Sequence, residues 1–110
     1  MERWERQFTL LATARELDRS GRLGEAVPIY ELLVTEGLEH AHIYLRLGVI
    51  YRKAKRYDDE IRVMEKGLQV WRDFDYRELA NKGEPIMDQY TGRLVKAKKL
   101  WAKAMKGQPA

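Results

Sequence analysis

Few residues in this chain have the type and spacing for chemistry. His40 and His42 are the only histidines. Two positions apart, they leave a helix on different sides and make a poor pair of metal ligands. Asp58, Asp59 and Glu60 form an acidic run. It falls where a helix should begin, and negative charge there suits the helix dipole better than it suggests a cation site. Gly21 and Gly24 stand too close together for a phosphate-binding loop, and the lysine of such a loop is missing. The one serine, Ser20, has no nucleophile context. Cysteine is absent, which removes disulfides, thiolate zinc sites and cysteine nucleophiles. No acid–base pair emerges as a catalyst. The expectation is a chain that is not an enzyme, with no catalytic residue, no metal and no cofactor.

What remains is the framework those residues sit on. The chain has 110 residues, the size of a single domain with one core. Its 21 bases against 17 acids give a net charge of +4, a mild bias. The charge is unevenly placed. Between Thr91 and Ala110 lie six bases (Arg93, Lys96, Lys98, Lys99, Lys103 and Lys106) and no acid. The first 90 residues therefore carry 15 bases against 17 acids, a net of −2. The opening residues, Met1 to Arg6, mix acids with bases and do not read as a signal peptide. No stretch approaches the roughly 18 uncharged apolar residues of a membrane span. A cytoplasmic protein in a reducing compartment is expected.

Apolar spacing is helical nearly throughout. Phe8, Leu10, Leu11, Ala14 and Leu17 recur at helical steps, which puts them on one side of a first helix, expected to face the core, that Ser20-Gly21 closes. A second helix is expected from Gly24 to Glu36, with Val27, Tyr30, Leu33 and Val34 inward and Gly37 ending it. Pro28 sits near its start, where a missing amide donor costs least. A third helix should cover His42 to Ala54, with Ile43, Leu47, Ile50 and Tyr51 on one stripe. A fourth should cover Asp58 to Trp71, with Ile61, Met64 and Leu68 inward. The short connections imply antiparallel hairpins. Asp73 to Gly83 reads as irregular, with a short helical turn near Tyr76–Ala80. A long last helix follows from Pro85, a residue suited to a first turn.

Two halves of the chain match when shifted by 34 residues. Leu10 falls on Tyr44, Ala14 on Gly48, Leu17 on Tyr51, Leu23 on Tyr57, Val27 on Ile61, Tyr30 on Met64 and Val34 on Leu68. Small residues meet small ones and large meet large. Tyr44-x-x-Leu47-Gly48-x-x-Tyr51 resembles the aromatic-x-x-Leu-Gly-x-x-Tyr run of tetratricopeptide (TPR) repeats, whose period is about 34 residues. The first copy offers Leu10-x-x-Thr13-Ala14-x-x-Leu17 and then Ala26-x-x-x-Tyr30. The proline that closes each unit of that family is replaced by Leu38 and Arg72. The fold this implies is all-α: antiparallel helical hairpins stacked as a short TPR-like α-solenoid, with a long amphipathic capping helix. One domain, 1–110, would comprise repeats 7–40 and 41–74, an irregular connection over 75–84 and a basic amphipathic helix over 85–106.

Glu60 departs from this plan, standing where the first copy has Ala26. A carboxylate at that helix–helix contact is costly if buried and unpaired. Either the helix rotates or the Glu60 stem lies over Gly48 with its head in water. The alternative is a paired acid that sets the hairpin geometry, with Arg52 or Arg56 as partner.

In the family, the first helix of each hairpin lines a concave groove for a peptide or helix. By that resemblance the groove would take Leu11, Arg15, Asp18 and Arg19 from the first copy. It would take His42, Leu45, Arg46, Val49, Arg52 and Lys53 from the second. This is an apolar floor edged by cations, and arginine suits bidentate carboxylate contacts. The implied partner is another protein with an apolar and acidic segment. Leu11, Arg15 and Arg46 stand where the chaperone-tail subgroup clamps a terminal carboxylate, so that ligand is not expected.

Two hairpins alone leave an apolar face open, and the last helix is suited to cover it. Met87, Tyr90, Leu94, Ala97, Trp101 and Ala104 form a seam, with Lys96, Lys99, Lys103 and Lys106 opposite. Three readings stay open: a cap on the second hairpin, a homo-oligomer surface, or a basic helix for an acidic partner, membrane surface or nucleic acid. Nucleic acid is not expected, because the basic face lacks interleaved aromatics and phosphate-cradling glycines.

Overall fold

The computed structural model describes residues 2–78 and 84–107. Among the described residues all regular structure is helical: α1 (Arg3–Arg19), α2 (Leu23–Thr35), α3 (Ala41–Lys53), α4 (Tyr57–Glu78) and α5 (Glu84–Lys106). The chain divides into two compact units, Met1–Leu38 and Glu39–Ala110. The division falls between the two repeat-like segments.

The first unit is the α1–α2 hairpin. Gln7, Leu11 and Ala14 of α1 and Ala26, Tyr30, Leu33 and Val34 of α2 are its buried residues. Ala14 and Ala26 have no exposed surface at all, as two small residues permit at a close helix crossing. The Tyr30 hydroxyl donates to Asp18 Oδ2 at 3.0 Å, tying α2 to the end of α1. At the other end of the hairpin Glu36 accepts from Arg6 Nη1 and from Gln7 Nε2, each at 2.9 Å. Arg3 donates to the Glu36 backbone oxygen at 3.2 Å. These hydrogen bonds, Arg6 foremost, hold the Glu36 carboxyl at about 2, well below the usual carboxylate range. Phe8, expected inward, is 56% exposed, and Leu10 and Leu17 are only half-buried. At 100° per residue the five apolar positions of α1 span half of the helix, with Phe8 at one edge of the arc and Gln7 near its centre. Gln7 takes the core place that Phe8 was expected to fill.

The second unit packs α3, α4 and α5. Ile43, Tyr44, Leu47 and Tyr51 meet Ile61, Val63, Met64 and Leu68, and α5 adds Tyr90 and Ala97. Two glycines set how closely these helices approach. A Cβ on Gly48 would stand 2.9 Å from Met64 Cε and 3.1 Å from Arg93 Cδ. A Cβ on Gly67 would stand 3.1 Å from the Tyr44 Cβ and Cγ and from Tyr90 Cε2. The Tyr44 and Tyr90 rings meet edge to face, centroids 6.2 Å apart, a favoured aromatic geometry. Burial pushes both phenols well above the ordinary tyrosine range.

The helix starts and stops lie within about one residue of those expected from spacing, with one larger difference. α4 continues past Trp71 to Glu78, through positions 73–78, where the sequence reads as irregular with a short helical turn near Tyr76–Ala80. The rest of that connection, 79–83, lies outside the described residues.

The two hairpin turns repeat each other bond for bond. In the first, Gly21 N–H donates to Asp18 O at 3.0 Å and Arg22 N–H to Leu17 O at 2.8 Å. In the second, Lys55 N–H donates to Arg52 O at 3.0 Å and Arg56 N–H to Tyr51 O at 2.8 Å. Both are Schellman closures with the pivot residue left-handed, Gly21 at φ 78° and Lys55 at φ 59°. The helix ends at Arg19 and Lys53, and the next starts at Leu23 and Tyr57, keep the same offset of 34.

Candidate functional site

Glu60 is the chemically singular residue of the second unit. It lies in the first turn of α4 and has no exposed surface. Arg52, at the end of α3, donates from Nε to Glu60 Oε1 at 2.9 Å, and its Nη2 lies 2.9 Å from Oε2. Arg93, from the middle of α5, donates from Nη1 to Oε2 at 2.6 Å. Arg52 Nη2 also donates to the Arg93 backbone oxygen at 2.9 Å. Each carboxylate oxygen is thereby matched, and three helices are tied at one point.

The carboxyl head is not in water, as the first expectation for Glu60 had it. It is paired, the alternative raised from sequence. Arg52 was named there as a partner. Arg56 instead donates from Nε to Asp59 Oδ2 at 2.8 Å, and its guanidinium lies over the Tyr51 ring. Arg93 was not foreseen, because its register depends on how α5 docks. Such a cluster is weak support for stability in itself, but removing one partner strands a buried charge.

The expected groove residues separate into two groups. Leu11 is buried in the first unit and is core, not binding surface, since its side of α1 carries Gln7 and Ala14. Arg15 and Arg19 are exposed on α1, and Arg19 pairs with Glu16 at 3.1 Å. Asp18 is turned toward Tyr30. On the same flank of α1 as Arg15, the exposed Trp4 and Phe8 rings meet edge to face at 6.1 Å. That aromatic pair was missed because Phe8 was assigned to the core.

On α3, helical phase brings His42, Leu45, Arg46, Val49 and Lys53 to one face, opposite the buried Tyr44, Leu47 and Tyr51. Leu45, Arg46 and Val49 are half-buried there, with His42 and Lys53 exposed. The His40 and His42 rings lie 5.7 Å apart. Arg52 does not belong to this face; it is committed to Glu60.

The seam on α5 is used over part of its length. Tyr90 and Ala97 are fully buried, Met87 and Leu94 half-buried, and Trp101 and Ala104 exposed. The first half of the helix therefore packs on α3 and α4, and its last turns do not. Among the described residues no group of three or more His, Cys, Asp or Glu is arranged to hold a metal ion. No helix among them is long and apolar enough to cross a membrane.

The chain matches no family model, and no match is found to a curated protein or to a solved structure.

Proposed function

We propose that this chain is a non-catalytic protein–protein interaction module, an adaptor or chaperone-like unit whose two hairpins follow the TPR plan. Its binding surface is cationic and partly apolar and takes a peptide or helix segment with apolar anchors and acidic neighbours. The observation that carries this reading is the α3 face. Leu45 and Val49 form an accessible apolar floor between His42, Arg46 and Lys53, while the opposite side of the helix is core. The matched turns at an offset of 34 support the repeat plan. Arg15 and Arg19, with the Trp4–Phe8 pair, give α1 the same mixture of apolar and cationic surface.

The test is selection from a displayed peptide library, comparing the wild type with Arg46→Glu plus Lys53→Glu. Both positions lie outside the core, so the fold should survive. The wild type should enrich apolar–acidic segments in a salt-sensitive way, and the variant should lose them. Equal enrichment by both proteins would refute the α3 face as the binding surface. Arg52→Glu is unsuitable for this purpose, since it would put a second carboxylate against Glu60.

The second reading is a structural subunit that oligomerises through α5. Trp101 and Met105, exposed on that helix, favour it. A concentration-independent monomer in light scattering would count against it.

A further inference from the structure

α5 carries its positive charge on the side turned away from the helices it packs on. At 100° per residue, Lys96, Lys99, Lys103 and Lys106 fall within an arc of about 80°, opposite the buried Tyr90 and Ala97. All four are exposed. At 1.5 Å per residue they form a row about 15 Å long. Lys98 stands on the flank of the row and is exposed as well. None of these five lysines forms an ion pair among the described residues. The arginines are used differently: Arg6, Arg19, Arg22, Arg52, Arg56 and Arg93 each meet a carboxylate of the chain itself.

Nothing on α5 stands in front of the row. α3 and α4 meet the other side of the helix, at Tyr90 and Arg93. Gly92 lies on the lysine side, one turn before Lys96, with open space where a Cβ would be. No acid occurs between Thr91 and Ala110. Asp88, the nearest acid along the helix, is about 12 Å from Lys96 along its axis.

The composition of the row selects the occupant. Between residues 88 and 106 the arc holds no apolar side chain. Protein interfaces have an apolar centre and are depleted in lysine. Single-stranded nucleic acid is held on aromatic platforms, and phosphate recognition favours the arginine fork; this side of α5 has neither. Lysine is a strongly hydrated point charge on a flexible stem. A row of such charges and nothing else suits a surface that is negative throughout and offers no pocket, which is the headgroup layer of an anionic bilayer.

We infer that the lysine row of α5 is a peripheral docking face for an anionic lipid bilayer, held by charge and without insertion of apolar groups. Each lysine near such a surface strengthens binding about fivefold. The contact is reversible and weakens as salt rises. It depends neither on the α3 face nor on the Trp101–Met105 side of α5.

The experiment sediments the full chain with vesicles of phosphatidylcholine, alone or mixed with phosphatidylserine. Binding is expected only to the mixed vesicles and should fall steeply with added salt. Lys99→Gln plus Lys103→Gln should weaken it about tenfold or more. Glutamine matches lysine in helix propensity, so the melting temperature should not move. Arg46→Gln plus Lys53→Gln removes the same charge from α3 and should weaken binding less than about threefold. Trp101→Ala should leave it unchanged. No binding to mixed vesicles at millimolar lipid would overturn the inference. An equal loss in the two double variants would also overturn it, by assigning the binding to net charge. A loss in Trp101→Ala as large as that of the lysine variant would replace adsorption by insertion of the apolar side. Tighter binding to duplex DNA at equal phosphate concentration would assign the row to nucleic acid instead.

Discussion

At one register position α2 buries Ala26 and α4 buries Glu60, neither with any exposed surface. The partners differ to match. In the first hairpin Ala14 is buried like Ala26, and Asp18 occupies the place that corresponds to Arg52. In the second hairpin Gly48 lies beside Met64 and Arg93, and Arg52, at the end of the same helix, holds Glu60. The glycine leaves space beside α3 that the Arg93 stem fills, 3.1 Å from where a Cβ would stand. The first hairpin thus closes on itself with small side chains. The second trades a methyl for a carboxylate and gains a point of attachment for a third helix. A buried acid is a costly way to pack two helices, and here its hydrogen bonds join α5 to α3 and α4 at one point.

The largest effect should come from imposing the second solution on the first hairpin. Ala26→Glu would bury a carboxylate beside Asp18 with no arginine in place, and should cost about 4 kcal/mol or unfold the hairpin. Adding Asp18→Arg should recover part of that loss. Urea unfolding of the three proteins checks this, and an unaltered midpoint for Ala26→Glu would break the comparison.

Next is Arg93→Ala, which leaves Glu60 buried with one partner. About 3 kcal/mol is expected, with faster amide exchange along α5 and none along α1. Exchange unchanged in α5 would mean that Arg93 does not hold it.

The glycines sharpen the contrast at smaller cost. Gly67→Ala pushes a methyl against rings from two helices and should destabilise by about 1–2 kcal/mol despite its better helix propensity. Gly48→Ala meets only the flexible ends of Met64 and the stem of Arg93, so about 1 kcal/mol or less is expected. Thermal melts that reverse this order would place the tight crossing elsewhere.

The turns differ only in their pivots. Lys55 adopts the left-handed conformation that Gly21 adopts without steric cost. Lys55→Gly should therefore stabilise by about 0.5–1 kcal/mol, and Gly21→Ala should destabilise by about 1 kcal/mol. A loss of stability in Lys55→Gly would show that the lysine side chain matters more than its backbone.

The smallest effect is a pH dependence of the first hairpin. Its folded Glu36 carboxyl titrates at about 2 instead of 4.5, held down chiefly by Arg6 and Gln7. The stabilisation is present above pH 4.5 and is lost as pH falls toward 2. Glu36→Gln should flatten that acid limb of a melting-temperature profile, and an unchanged slope would remove Glu36 as its source.

The helices were legible because their apolar spacing and glycine stops are local signals. The turn repeat was legible through the offset of 34 that pairs Leu17 with Tyr51 before the turn and Leu23 with Tyr57 after it, although the left-handed lysine at 55 was not. Phe8 was misplaced because it lies at the edge of the half-turn that the apolar residues of α1 span, and Gln7, near the centre of that arc, gave no apolar signal. The extent of α4 was hidden by charged residues after Trp71, which a solvated helix accommodates as easily as a loop. Glu60 announced itself by breaking the repeat, and Arg52 lay within reach on the neighbouring helix. Arg93 was silent because its role depends on a docking register between distant segments. Gly67 did carry a signal: a glycine in mid-helix costs about 1 kcal/mol, and a close helix contact offsets that.

The most direct measurement is a double-mutant cycle of Glu60→Ala and Arg93→Ala in urea unfolding. If the buried carboxylate fastens α5, the two changes together should cost less than their sum by about 1.5–3 kcal/mol. Strict additivity would contradict it, and α5 would then be held by Tyr90 and Ala97 alone.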